Sequence, residues 1–176
     1  MKNTILAFLG PSREFRVNYC MNILVIEDSS IAAAFLKYKF HALKKIFPNV
    51  RVELALSLRA ADKILETFDP DIITLDLTLE GVETSDYVKS RLPELAKLAT
   101  VIIITCADLD IYSAQELLAL GADTVLEKDT MTSQAFLNQI LSICTRIVPR
   151  EVNAVPALIQ AGPNLYFLHL PDAAGS

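Results

Sequence analysis

Short uninterrupted apolar runs alternate along this chain with segments whose apolar residues recur at steps of three and four. The runs are typical of strands buried in a parallel sheet, and the stepped segments are typical of helices packed on it. The five runs that predict strands are 22–26, 50–56, 72–75, 101–104 and 123–127. Five strands alternating with five helices predict an α/β fold, a doubly wound parallel sheet with right-handed crossovers.

The first predicted helix follows Ser29 and Ser30, which are natural N-cap residues. Its apolar residues recur as one face of a helix does, and they are Ile31, Phe35, Tyr38, Ala42 and Ile46. The lysines lie mostly elsewhere on the helix, and they are Lys37, Lys39, Lys44 and Lys45. Because the chain as a whole is acidic, we interpret this lysine group as a solvated face and not as a nucleic-acid site.

The later predicted helices carry their own boundary signals. The third helix is expected to be interrupted at Pro93. The fourth begins with the capping-box spacing of Ser113 and Glu116 and ends at Gly121. The apolar stripe of the fifth helix is Phe136, Ile140, Ile143 and Ile147.

Length and composition predict one domain with short additions at both ends. The chain has 176 residues, of which 52% are hydrophobic, which is enough for a substantial core. We expect residues 1–20 to form an N-terminal extension, residues 21–148 the domain, and residues 149–176 a C-terminal tail. Four prolines punctuate that tail, at positions 149, 156, 163 and 171.

Charge, apolar run length and cysteine spacing restrict the expected partners and cellular location of the protein. A net charge of -5 disfavours direct binding of nucleic acid by bulk charge. No apolar stretch is long enough to cross a bilayer, so no membrane partner is expected. The three cysteines are far apart in no metal-binding spacing, which indicates reduced thiols and a cytoplasmic location.

Polar side chains follow four of the five predicted strands at the point where each strand ends. Glu27 and Asp28 follow the first strand, Asp76 the third, Thr105 the fourth and Lys128 the fifth. The carboxyl ends of parallel strands meet at one edge of the sheet, where ligands bind in a crevice. Each residue alone is more often structural or solvated, but the ordered set predicts a site.

Three carboxylates in one crevice repel one another unless a hard cation lies among them. Mg²⁺ fits this role because it takes carboxylate and carbonyl oxygens and keeps positions for phosphoryl oxygens. Asp76 then acts as the nucleophile toward an activated phosphoryl group, which gives an aspartyl phosphate. Thr105 donates a hydroxyl hydrogen bond to that group, and Lys128 places its ammonium against it. Such chemistry needs no general base on the protein.

The chain resembles the receiver domain of the two-component response-regulator family, in its stand-alone, chemotaxis-regulator-like form. The matching segments span residues 22 to about 147, and they are ILVIEDS around Asp28, ITLDLTL around Asp76, VIIITCA around Thr105 and GADTVLEK around Lys128. The resemblance implies a flavodoxin-like (βα)5 fold. It also implies a phosphoacceptor signalling domain that catalyses only its own phosphorylation and dephosphorylation.

The resemblance assigns a role to each residue of the set. The implied Mg²⁺ ligands are Glu27, Asp28, Asp76 and the backbone carbonyl of Thr78. Asp76 would accept phosphate from a sensor histidine kinase or a histidine phosphotransfer protein, while Thr105 and Lys128 bind the phosphoryl group. We expect the output to be a contact with a downstream protein, through the face formed by the fourth helix, fifth strand and fifth helix.

Four positions depart from the family pattern: Glu80, Cys106, Val125 and Asp129. Glu80 stands where a proline is frequent, and Cys106 replaces a small residue after the threonine. Asp129 replaces the proline that usually follows the lysine. Val125 replaces the aromatic residue that usually switches, so we expect a smaller conformational change on phosphorylation.

Three other classes of protein share parts of this pattern. A phosphorylation-independent pseudo-receiver would have the same fold without the chemistry. A haloacid-dehalogenase-like phosphatase would have a second Asp where this chain has Thr78, and its acid pair would come late in the chain. A transcription factor would need a DNA-binding part longer than the proline-rich tail.

The two histidines, His41 and His169, fit no catalytic role and are interpreted as structural or surface residues.

Overall fold

A computed structural model describes residues 7–9, 15–17, 19–45, 47–79, 85–105, 114–128, 133–147, 157–162 and 165–169. Its strands are β1 (Ala7–Leu9), β2 (Phe15–Val17), β3 (Asn22–Ile26), β4 (Arg51–Ala55), β5 (Ile72–Leu75), β6 (Thr100–Thr105), β7 (Ala122–Glu127), β8 (Ala157–Gly162) and β9 (Leu165–His169). Its helices are α1 (Ser30–His41), α2 (Leu58–Leu65), α3 (Ser85–Leu98), α4 (Ala114–Ala119) and α5 (Ser133–Ile147), and a 3-10 turn, Ala42–Lys45, follows α1.

The predicted parallel sheet is confirmed, with five strands in the order β4-β3-β5-β6-β7. Helices connect consecutive strands, which makes the doubly wound (βα)5 arrangement. The register pairs Ile26 at the end of β3 with Leu75 at the end of β5. The residues that follow, Glu27 and Asp76, therefore emerge side by side at the carboxyl edge of the sheet.

The sheet separates two apolar clusters, one on each face. The first contains Phe40 from α1 and Phe136 from α5, whose rings meet edge to face with centroids 5.4 Å apart. The second lies under α2, α3 and α4 and is centred on Leu58, Leu92 and Leu117, all fully buried. Both faces of β5 are covered, so all four of its residues are buried.

The predicted apolar face of α1 does not join the core. Ala33, Leu36 and Phe40 are buried instead, and this second apolar stripe also follows helical spacing. Ile31 and Tyr38 of the predicted face point to solvent, with 83% and 77% of their surface exposed. Periodicity alone does not distinguish two apolar stripes on one helix, and the one that contains Phe40 fits the cluster around Phe136.

The predicted interruption of the third helix is also wrong, because α3 runs through Pro93 without a break. Helix α4 ends as predicted at Gly121, whose φ of +113° favours glycine. A Cβ added to Gly121 would lie 2.7 Å from the Cβ of Ala96, so a side chain is excluded there. The stripe of α5 is confirmed, since Phe136, Ile140 and Ile143 are fully buried.

The terminal regions contain two separate antiparallel pairs, β1 with β2 and β8 with β9. The predicted N-terminal extension thus includes the first pair, and the predicted C-terminal tail includes the second. Apart from Tyr19 and Cys20, the remaining residues of both regions lie outside the described part of the chain, as do Ile46 and Ser113. The domain limits at residues 21 and 148 stay predictions.

Thr74, in the middle of β5, has a buried hydroxyl with no hydrogen-bond partner among the described residues. An unsatisfied buried hydroxyl costs about 1–3 kcal/mol, and valine has nearly the same shape. We expect Thr74→Val to raise the free energy of unfolding by about 1 kcal/mol in urea titration. Thr124→Val is the control: its hydroxyl accepts a hydrogen bond from Gln139, so this change should not stabilise the protein. A destabilised Thr74→Val protein would contradict the argument.

Tyr19 donates a 2.5 Å hydrogen bond to Asp71 at the amino-terminal edge of the sheet. Burial and the neighbouring carboxylate raise the pKa of Tyr19 well above its ordinary value. The unfolded chain therefore releases the phenol proton first, and the stability that Tyr19 contributes is lost as pH rises above about 10. We expect Tyr19→Phe to destabilise the fold at pH 7, with a difference from the parent that shrinks above pH 10. Tyr38→Phe, at an exposed site, should show no such convergence.

Candidate functional site

Four strand ends meet at one point and bring the predicted residues together. The amide of Asp76 donates to the carbonyl of Ile26, and the amide of Lys128 donates to the carbonyl of Thr105. These backbone bonds extend the parallel ladder one residue beyond the ends of β5 and β7. The side chains that follow the strands are thereby fixed around a shared cleft at the carboxyl edge of the sheet.

Lys128 lies at the centre of the site. Its Nζ donates to Glu27 at 2.5 Å and to Asp76 at 2.7 Å. Both carboxylates are almost completely buried, with 2% and 4% of their side-chain surface exposed. Buried carboxylates are unfavourable without a cationic partner, so Lys128 stabilises the charged forms of Glu27 and Asp76 in this structure.

Asp76 is held from its other side by Thr78. The backbone N–H and the hydroxyl of Thr78 donate to Oδ1 of Asp76 at 3.1 Å and 3.0 Å. Lys128 takes Oδ2, so the two oxygens of Asp76 have different partners. The family resemblance implied only a carbonyl role for Thr78, and these two bonds were not predicted. The Asp-x-Thr spacing is the signal for them, because aspartate often accepts from the backbone two residues later.

The surroundings of Glu27 and Lys128 shift the pKa of each of these groups. Burial raises the pKa of Glu27, and the charge of Asp76 adds to this effect, while Lys128 opposes it. Burial lowers the pKa of Lys128, but hydrogen bonds and charge from Asp76 and Glu27 outweigh burial, so its pKa lies above the ordinary value. The cluster keeps a surplus of negative charge, since one ammonium faces three acids.

The acids have the geometry of a cation site. Glu27, Asp28 and Asp76 each offer a carboxylate oxygen, and these atoms lie within 4.8 Å of one another. They border an open cleft of about 470 Å³ that also includes Ile31 and Thr78. Hard oxygen donors around a water-accessible space suit Mg²⁺, which retains waters and open positions. The residues present therefore fit the metal that the sequence analysis predicted.

The structure describes only some of the other residues that the sequence singled out. Thr105 ends β6 and is fully buried beside the site. Val125 is partly buried and packs on the second apolar cluster, so no aromatic ring occupies that position. Glu80, Cys106 and Asp129 lie outside the described residues. A larger cleft of about 680 Å³ lies at the opposite edge of the sheet and contains none of the predicted site residues.

No helix in the described part of the chain is both long enough and apolar enough to span a bilayer.

Solved structures with the same fold include several receiver domains. One is the receiver domain of a DNA-binding response regulator from Colwellia psychrerythraea 34H, with 28% identity and a TM-score of 0.54 over 69% of this chain and 98% of that chain. Another is a CheY-like receiver domain from Methanospirillum hungatei JF-1, with 19% identity and a TM-score of 0.59 over 73% of this chain and 97% of that chain.

A curated relative is the protein-glutamate methylesterase/protein-glutamine glutaminase 2 of Paramagnetospirillum magneticum, which is 28% identical over 152 residues. The alignment covers 82% of this chain but only 41% of that protein, so the chain spans about two fifths of the relative's length. The family model described as response regulator receiver domain matches residues 23–140. That range contains the five-stranded sheet from the second residue of β3 onward and every residue of the acidic cleft, and the chain accordingly belongs to the response regulator receiver domain family of two-component signalling.

Proposed function

We propose that this receiver domain accepts a phosphoryl group on Asp76 and signals through contacts with other proteins. The observation that carries the proposal is the asymmetric binding of the Asp76 carboxylate. Thr78 holds Oδ1 and Lys128 holds Oδ2, beside a cleft bordered by two further acids. A carboxylate fixed in this way presents an oriented oxygen to a phosphorus atom that enters the cleft.

In the transfer step, an oxygen of Asp76 attacks phosphorus while the bond between phosphorus and the donor's imidazole nitrogen breaks. The electron pair of that bond stays on the nitrogen, which leaves as neutral imidazole after taking a proton from solvent. Glu27, Asp28, Asp76 and the carbonyl of Thr78 would hold Mg²⁺, whose chemistry when bound is to neutralise charge on the phosphoryl oxygens. The donor we propose is a sensor histidine kinase or a histidine phosphotransfer protein.

Lys128 and Thr105 act on the phosphorylated state. The ammonium of Lys128 moves its hydrogen bond from the Asp76 carboxylate to a phosphoryl oxygen, a change of partner without a change of charge. The hydroxyl of Thr105 donates to a second phosphoryl oxygen. Because Lys128 follows β7 and Thr105 ends β6, their adjustment is expected to shift the backbone that leads into α5 and α4.

The direct test is Mg²⁺-dependent phosphorylation by acetyl phosphate, followed by intact-mass measurement. We expect one added phosphoryl group with Mg²⁺ and none with EDTA, and borohydride reduction with peptide mapping should place it on Asp76. The absence of any adduct with Mg²⁺ present would favour the pseudo-receiver hypothesis. An adduct on another residue would refute the assigned site.

For the output we propose the face formed by α4, β7 and α5, which a downstream protein would contact. Amide exchange with and without beryllofluoride, a phosphoryl mimic, is expected to change mainly between residues 106 and 139. Val125 provides no ring to swing inward, so the changes should be shifts in protection and not large openings. Changes confined to α1 and α2 would contradict this assignment.

We propose no separate enzymatic activity for this chain. The esterase named for the Paramagnetospirillum relative belongs to a protein of which this chain matches 41%. His41 is exposed on α1, away from Asp76, and offers no partner for a nucleophile there. The phosphatase hypothesis lacks its second aspartate, since Thr78 occupies that position and donates to Asp76. We expect phosphoryl exchange to occur in the cytoplasm, where cysteines stay reduced.

A further inference from the structure

A groove runs along the amino-terminal edge of the sheet, opposite the acidic cleft. It consists of two adjoining clefts of about 680 Å³ and about 410 Å³, which share Asp69, Pro70 and Leu98. Apolar residues at the ends of α2, α3 and α5 contribute to its walls, and they are Leu65, Leu98 and Ile147. Leu98 lies where the two clefts meet and is 54% exposed. The edge groove therefore offers apolar surface that stands open in this structure.

The rim of the edge groove is acidic. Its acids are Glu66, Asp69, Asp71 and Asp123, and Lys97 is the one lysine among the described lining residues. Arg146 forms an ion pair with Asp123 at 2.7 Å, so the uncompensated negative charge lies toward the other end, where Asp69 and Glu66 are exposed. A cationic segment with an apolar face would complement this groove.

The β1–β2 pair has an apolar face to offer. Its register pairs Ala7 with Val17 and Leu9 with Phe15, and these four residues share one face because side chains alternate along a strand. The other face carries the pair of Phe8 and Arg16. An isolated two-stranded pair is only marginally stable in water, so the apolar face needs a surface on which to pack.

Tyr19 keeps the β1–β2 pair beside the edge groove. Strand β2 ends at Val17, two residues before Tyr19, and two extended residues span at most about 7 Å. The hydroxyl of Tyr19 donates to Asp71, which lines the groove. The connection between the pair and the groove is therefore short and is anchored at the groove itself.

We propose that the β1–β2 pair closes over the edge groove as a strap anchored at Tyr19, with the face of Ala7, Leu9, Phe15 and Val17 against Leu98. Charge selects this segment over the other terminal pair, β8–β9. Residues 1–18 contain three basic residues and one acidic residue, whereas residues 148–176 contain one basic residue and two acidic residues. The short tether also gives the strap a high effective concentration, which favours it over the same segment of a second copy.

The closed strap changes the role of the largest cleft near the sheet. That cleft becomes an internal docking surface, and a partner of similar chemistry could reach it only by displacing the strap. The acidic cleft at the opposite edge of the sheet stays open in either state. The N-terminal extension would then belong to the packing of the domain.

The test is the rate at which a thiol reagent labels Leu98→Cys in the full chain, with peptide mass separating position 98 from the three native cysteines. Because the closed strap covers this position, adding Phe15→Asp should speed the labelling by about tenfold or more. Phe8→Asp, on the other face of the same pair, is the matched control and should leave the rate unchanged. Leu118→Cys on α4, at a site that is 47% exposed, should be labelled equally fast with and without Phe15→Asp.

Further variants identify the segment that covers the groove. Asp69→Lys should speed labelling at position 98, because it opposes the basic strap, and an unchanged rate would refute the charge argument. Equal rates with and without Phe15→Asp would overturn the proposal. So would acceleration by Phe167→Asp instead, which would assign the groove to β8–β9, or labelling that slows as protein concentration rises, which would assign it to a second copy. Thermal unfolding of each variant checks that the fold is retained, and none of these results depends on phosphorylation.

Discussion

Asp76→Asn is expected to abolish phosphorylation and, at the same time, to stabilise the fold. The amide has no nucleophilic oxygen for phosphoryl transfer, so the added mass should disappear completely. The change also removes two repulsions, with Glu27 and Asp28, and the desolvation of a buried charge. It gives up one attraction, to Lys128, which still has Glu27 as a partner. We expect a gain of about 1–2 kcal/mol in the free energy of unfolding without metal.

Asp62→Asn provides the control for both measurements. Asp62 also accepts from a cation, the Arg91 guanidinium at 2.6 Å, but it lies outside the acidic cluster. This variant should be phosphorylated like the parent, and its stability should be unchanged or slightly lower. A phosphorylated Asp76→Asn protein would refute the acceptor assignment, and a destabilised one would show that the bond to Lys128 outweighs the crowding of the acids.

The position of the site could be predicted because topology alone determines it. In a parallel α/β sheet, the residue after each strand lies at one edge, so five short apolar runs place Glu27, Asp76 and Lys128 together before any side-chain packing is known. The register between β3 and β5 bears this out. What sequence could not give is the choice of partners within the cleft. Lys128 bonds to two acids at once, and that depends on distances of a few ångströms.

The face of α1 could not be predicted for a different reason. The helix has two apolar stripes, and spacing gives no preference between Phe35 and Phe40. Phe40 is the residue that packs in the core because its ring fits against that of Phe136 on α5, which is more than ninety residues away in the sequence. Such long-range complementarity is absent from any local window of sequence. The stripe left outside stays on the surface of α1, where Phe35 is 55% exposed and the ammonium of Lys39 lies 4.5 Å from the centroid of its ring.

Replacement of Lys128 should lower the free energy of unfolding, whereas replacement of Asp76 should raise it. In Lys128→Met, Glu27 and Asp76 stay buried with no ammonium between them. Breaking a buried ion pair by removing one partner costs about 3–5 kcal/mol, and we expect about 2–3 kcal/mol here because the cleft is open to water. The loss should shrink as pH falls from 7 to 5: the pKa of Glu27 is already raised, and without Lys128 it rises further, so protonation relieves the repulsion.

The same variant should separate metal binding from phosphoryl transfer. Mg²⁺ would no longer compete with an ammonium for the oxygens of Glu27 and Asp76, so its affinity should increase, and added Mg²⁺ should restore more stability than in the parent. Phosphorylation by acetyl phosphate should nevertheless slow by about 100-fold, because one charge-assisted contact to the transferring group is missing. Lys89→Met is a matched control: its side chain is also 18% exposed, but it pairs with the exposed carboxylate of Glu116 and lies outside the acidic cluster. That pair contributes at most about 1 kcal/mol, so Lys89→Met should leave metal affinity and phosphorylation unchanged. If Lys128→Met binds Mg²⁺ more weakly than Lys89→Met does, the ammonium is not a competitor for the cleft, and the proposed exchange of partners at Asp76 is wrong.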